Sequence, residues 1–190
     1  MTTYPFAPRP NSNGSTEEET NEEFRERIVA ILEHQDALSR RERAERLDWL
    51  GKNEARMPHA YLERTETCVA MQEARSSYVH GNFAATLALA LSYVEHVIND
   101  ALPPRQPNER FPTMTGAIEM ARKAGLLPGD LLDAATVLST FRNPFMHRRH
   151  PDDPDTLGQR IRNRKAHPKT ILEHDARDAL LLMFEFARLS

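Results

Sequence analysis

The sequence predicts an all-α fold, and three observations predict it. Apolar residues recur at intervals of three and four along most of the chain, the spacing that lines one face of a helix. Glycine is scarce, at 7 of 190 residues, while the 39% apolar and 28% charged content is ordinary for a globular domain, so a turn-rich β-sandwich is a poor fit. No stretch alternates apolar and polar residues as a half-buried strand would. The length suffices for one well-buried core with an appended helical arm, and is short for two independent domains.

Residues 1–22, rich in Pro, Asn, Ser, Thr and Glu, have almost nothing to bury and read as a flexible tail. Residues 23–56 read as an N-terminal helical extension. Within it Phe24, Ile28, Ile31, Leu32 and Leu38 mark one stripe of a first helix near 20 to 38. Ser39 then stands three residues before Glu42, a capping-box spacing, and Leu47, Trp49 and Leu50 precede Gly51, which suits a helix terminator, so a second, short helix is expected. Residues 57–190 form the main helical domain. A helix is expected from Pro58, where a missing N–H costs little, to His80 before Gly81. The Ala- and Leu-rich segment from Asn82 to Leu102 reads as a central helix stopped by Pro103 and Pro104. Thr113 to Ala124, ended by Gly125, and Asp130 to about Arg142 read as two more. Residues 148–169 are polar and carry Pro151, Pro154 and Pro168, which predicts a long loop with room for a helical turn. Thr170 and Glu173 form a second capping-box spacing that opens a last helix.

Net charge is −3, so no whole-molecule field favours nucleic acid and any RNA contact must be local. The single cysteine, Cys68, allows neither an internal disulfide nor a thiol-rich zinc site, which fits a reducing compartment. No apolar run reaches the roughly 18 to 20 residues of a membrane span, and the start of the chain lacks the apolar centre of a signal peptide. A soluble, cytoplasmic protein is expected, without membrane contact. No H-x-x-x-H or carboxylate cluster has metal-ligand spacing, and Ser, Cys and His show no nucleophile signature, so neither a metal nor a cofactor is expected.

The segment from Phe141 to His150 carries the chemistry. Arg142 supplies a permanent planar cation matched to phosphate oxygens, and His147 an imidazole able to exchange a proton near neutrality. On a regular helix five residues turn about 500°, which leaves the two side chains roughly 140° apart. Pro144 lacks an N–H and its ring clashes with the carbonyl four residues back, so it is expected to bend or end the helix and turn both groups towards one cleft. The same residues permit a structural reading, with His147 at a helix C-terminus favoured by the dipole and Arg142 paired with an acid.

Arg142-Asn143-x-x-x-His147 resembles the R-x(4–6)-H motif of the HEPN superfamily, in the form with a polar residue after the arginine. Tyr78-x-x-Gly81-x-Phe83, followed by an Ala-rich helix containing Glu95, resembles the first helical hairpin of that family, and the likeness covers roughly residues 57–190. The resemblance implies a HEPN-like bundle of four to five helices and metal-independent endoribonuclease activity. It further implies a homodimer whose two motifs build one cleft, with RNA as substrate and a role in bacterial stress response or antiphage defence. His147 would then be the general acid or base for attack of a ribose 2′-hydroxyl on the adjacent phosphate, Arg142 would stabilise the transition-state charge, and Asn143 would orient the phosphate or the histidine. Glu95 and His150 are candidate supporting neighbours of the motif. The alternative is a non-catalytic HEPN-fold module that dimerises or binds a nucleotide or protein partner. Members paired with a regulatory antitoxin often carry tyrosine two residues after the histidine. Arg149 stands there instead, which weakens that pairing.

From Arg142 to Lys165 the basic side chains Arg142, Arg148, Arg149, Arg160, Arg162, Arg164 and Lys165 outnumber Asp152, Asp153 and Asp155. Arg148, Arg149, Arg160, Arg162, Arg164 and Lys165 are therefore the candidates to track an RNA backbone. Arg40, Arg41, Arg43 and Arg46 are interleaved with Glu42, Glu45 and Asp48 and read as a salt-bridged helix surface.

Overall fold

The computed structural model describes residues 20–54, 65–106 and 108–189, and over these the chain forms seven α-helices and no strand. Two compact units divide it, residues 1–42 and 43–190. The tail expected at 1–22 lies almost wholly outside the described residues, as does the expected helix start at Pro58.

Where the sequence predicts two N-terminal helices there is one, α1 (Asn21–Glu54). The Ser39–Glu42 capping box does not form, because the Ser39 hydroxyl donates back to the Asp36 carbonyl within the helix at 3.4 Å. Gly51 is carried inside the helix, at a propensity cost of about 1 kcal/mol relative to alanine. Asn53 Nδ2 braces the turn around it by donating to the Trp49 carbonyl at 2.8 Å. The working capping box lies earlier: Glu23 accepts from the Thr20 N–H at 2.9 Å, and Thr20 Oγ1 accepts from the Glu23 N–H at 3.2 Å. Within the first unit Phe24, Leu32 and Leu38 are exposed.

The second unit is built around α3 (Phe83–Ala101), which packs chiefly on α2 (Thr65–Val79) and α7 (Pro168–Ala187), with α4 (Met114–Ala124) and α5 (Gly129–Met146) on further sides. Leu87, Leu91, Tyr93, Val94 and Ile98 of α3 are fully buried among Leu132, Leu180, Met183 and Phe186. Each such side chain contributes about 1.5 to 3 kcal/mol by leaving water. The α2–α3 turn needs a glycine: Gly81 has φ +79°, and a Cβ there would lie 3.3 Å from Arg46 Nη1. That nitrogen donates to the Val79 carbonyl at 3.1 Å, while Trp49 and Phe83 close on the buried Tyr78 ring at centroid distances of 5.1 and 6.0 Å.

Three helix ends differ from expectation. α5 runs through Pro144 to Met146 instead of stopping near Arg142. The stretch expected to be loop contains α6 (Leu157–Arg164), started by Thr156 Oγ1, which accepts from the Gln159 N–H at 3.4 Å. Finally α7 is capped by His167 Nδ1, which accepts from the Lys169 N–H at 3.2 Å, with Pro168 in the first turn. Thr170 is thus the third residue of the helix, and Glu173 binds Arg177 at 2.8 Å instead of closing a capping box. No helix among the described residues is long and apolar enough to cross a membrane.

Candidate active site

The last turn of α5 presents the motif. Packing of α5 on α3 brings Arg142 to Glu95, with Nη1 donating to Oε2 at 3.2 Å and side chains only 16% and 27% exposed. Partial burial makes this pair stronger than a surface ion pair. Arg142 Nε is buried without a hydrogen-bond partner among the described residues, so what the guanidinium offers a ligand is the 16% of the side chain that stays exposed. Asn143 is half-buried next to it.

His147 leaves the helix in extended backbone, φ −137° and ψ 135°, after its N–H donates to the Asn143 carbonyl at 2.8 Å. Its side chain is exposed, and so are Phe145 and Met146 beside it. Pro144 therefore does not end the helix; lacking an N–H, it only leaves the Thr140 carbonyl without its usual intrahelical donor in the final turn. The arginine is drawn inward to α3 while the imidazole is exposed to solvent.

The other candidates are spread around this turn. Glu95 also lines a cleft of about 470 Å³ with Glu66, Ser92, His96, Asp100 and Phe111. Its carboxylates make it a poor seat for phosphate. His96 Nδ1 in that cleft lies 3.2 Å from Thr67 Oγ1. His150 is exposed in the segment after α5, where its Nδ1 accepts from the Asp152 N–H at 3.3 Å. Arg148, Arg149, Arg162, Arg164 and Lys165 are exposed, with Lys165 in the left-handed region at φ +49°.

Arg160 breaks from this group. Expected to contact RNA, it is only 5% exposed, because it binds Asp175 of α7 at 2.5 Å and stacks on the Phe141 ring, with Cζ 3.8 Å from the centroid. A guanidinium so enclosed has no face left for a phosphate backbone. Sequence reasoning missed Asp175 and Phe141 as its partners. The available signal was a lone aspartate on the apolar stripe Ile171, Leu172, Ala176 and Ala179, since a buried acid requires a cation.

A second polar corner lies away from the motif. Arg177 Nε donates to Tyr78 Oη at 2.7 Å. Burial raises the Tyr78 hydroxyl above its ordinary value, against the opposing pull of that hydrogen bond and charge. Among the described residues no group of three or more His, Cys, Asp or Glu is arranged to hold a metal ion. Comparison finds no matching protein-family model, no similar curated protein and no similar solved structure.

What the site can do follows from its chemistry. It offers a fixed cation, an amide and a solvent-facing imidazole within six residues, beside an exposed basic surface on α6 and the segment before it. Those are the groups that phosphodiester transfer without a metal requires: charge stabilisation and proton exchange.

Proposed function

We propose that this chain is a HEPN-type, metal-independent endoribonuclease that works as a homodimer, in bacterial stress response or antiphage defence. The observation that carries the reading is the Arg142–Glu95 pair, which fixes a partly exposed guanidinium at the helix end that also bears Asn143 and the exposed His147. In one chain arginine and histidine face different surroundings, so a shared cleft needs a second copy. The exposed apolar side chains Phe145 and Met146 beside His147 are surface that such a copy would cover.

In this mechanism one imidazole takes the proton of a ribose 2′-hydroxyl. The freed oxygen attacks the adjacent phosphorus, the bond to the 5′-oxygen breaks, and that oxygen leaves with a proton from the imidazole of the second copy. The products are a 2′,3′-cyclic phosphate and a 5′-hydroxyl. Arg142 neutralises charge on the non-bridging oxygens and Asn143 orients them. Arg148, Arg149, Arg162, Arg164 and Lys165 track the flanking backbone.

A second reading is a non-catalytic HEPN-like module that dimerises or binds a nucleotide or protein partner. It is favoured by Glu95, which already satisfies part of Arg142. The deciding experiment incubates the purified full chain with single-stranded RNA in EDTA and follows cyclic-phosphate ends, with oligomeric state measured by light scattering. Cleavage that is lost in His147→Ala and Arg142→Ala, with the dimer retained, supports the nuclease. A wild-type chain that leaves RNA intact overturns the nuclease, and if it is a dimer it supports the module in its dimerising form.

A further inference from the structure

We infer that α6 is a latch, closed by the buried Arg160–Asp175 bond, which ties the segment before it to α5 and α7, and that Arg160 is a positioning residue for RNA cleavage. The second clause rests on the cleavage reading above; the first does not.

An eight-residue helix is far too short to hold itself. The only fully buried side chain that α6 contributes is Arg160, a charged one, and the apolar Leu157 and Ile161 are half-buried. Arg160 ties three helices at once, reaching Asp175 of α7 at 2.5 Å and the Phe141 ring of α5 at 3.8 Å. Phe141 immediately precedes Arg142. On its other flank α6 grips the preceding segment, with Gln159 Nε2 donating to the Pro151 carbonyl at 3.0 Å and to Asp152 Oδ1 at 3.3 Å. Asp153 folds that segment onto itself, its Oδ1 accepting from the Asp155 N–H at 3.0 Å and its carbonyl from Thr156 Oγ1 at 2.8 Å. A continuous set of contacts thus runs from α7 through Arg160 and α6 to residues 151–156, a few positions after His147.

The form of the bond separates positioning from bulk stability. Arg160 Nε and Nη1 and Asp175 Oδ2 are buried without hydrogen-bond partners among the described residues. A buried pair so incompletely satisfied is a costly way to stabilise a fold, and two apolar side chains would fill the space at least as well. What the pair supplies, and apolar contact does not, is direction: it fixes the register of α6 against α5 and α7.

The test compares the wild-type full chain with Arg160→Met and with the apolar pair Arg160→Met/Asp175→Leu by hydrogen exchange and by cleavage of a mixed-sequence single-stranded RNA. The apolar pair leaves no charge buried alone and decides the matter if Arg160→Met does not fold. The expected result is exchange about tenfold faster or more across 147–164, with protection of α3 and α7 unchanged. In cleavage, kcat falls about tenfold while KM moves less than about twofold, because positioning is lost and the exposed phosphate contacts remain. Unchanged exchange across 147–164 in the folded apolar pair overturns the latch. Faster exchange with unchanged kcat overturns the positioning role alone. If the wild-type chain cuts no RNA, that failure belongs to the cleavage reading, and exchange still decides the latch.

Discussion

α3 and the last turn of α5 pack against each other, yet they are held by opposite means. α3 buries Leu87, Leu91, Tyr93, Val94 and Ile98 completely, whereas from Phe141 to Pro144 each residue of α5 is half-buried and from Phe145 to His147 each is exposed. The first region is held by apolar area shared over many contacts. The second depends on single polar bonds, chiefly Arg142 to Glu95. Area is forgiving of surface change and intolerant of cavities; single bonds are the reverse, and regions held by them open at lower cost.

The largest effect should come from opening a hole in α3. Leu91→Ala is expected to lower unfolding free energy by about 3 kcal/mol in urea titration, and a loss under about 1 kcal/mol would break the contrast. Glu95→Gln should cost less, about 1 to 2 kcal/mol, since it leaves a mostly buried guanidinium without its counter-charge. Hydrogen exchange should then rise at the end of α5 and not along α3. Pro144→Ala should act with the opposite sign: it returns an N–H to the final turn, for a gain of about 1 kcal/mol in the same titration. A loss instead would mean that the turn is shaped around the proline.

The smallest effect is a pH dependence. Tyr78 has its hydroxyl pushed up in the folded chain by burial, so the folded state holds that proton more tightly than the unfolded state. Its contribution is fully present below the ordinary tyrosine value of about 10 and is lost as pH climbs through the raised folded value. Comparing wild type with Tyr78→Phe by denaturation at several pH values above 10 should show a shallower decline in the variant.

The same contrast explains what the sequence makes legible. The apolar periodicity of α3 and α7 is long and that of α4 is closed by Gly125, so burial wins over local detail, even at Asp175, and those helices are found close to their limits. Errors cluster where short-range signals compete. Ser39–Glu42 has the spacing of a cap, but the surrounding turns on both sides are good helix formers, so the chain runs through. Three prolines from 148 to 169 suggest loop, yet all lie outside the eight residues of α6, one of them at the N-terminal end of α7 where proline is favoured. The neighbourhood of Arg142 and Glu95, 47 residues apart, is set by the packing of α5 on α3 and follows from no local pattern. The basic run alone reads the same whether one member points out or in, so the inward turn of Arg160 is legible only through Asp175 on the apolar face of α7. Only the pairing with Asp175, set by tertiary packing, decides it.

Lys165 illustrates a compromise written into a single residue. Its left-handed backbone at the elbow between α6 and α7 closes the α6 terminus, its N–H reaching the Ile161 carbonyl at 2.9 Å. That conformation costs an ordinary side chain roughly 1 kcal/mol that glycine or asparagine would be spared. Keeping lysine there forgoes conformational ease in exchange for one more positive charge on the rim of the basic surface. Glycine at this bend would relieve the backbone and in the same step remove an exposed charge, so thermal stability and surface charge are traded here within one side chain.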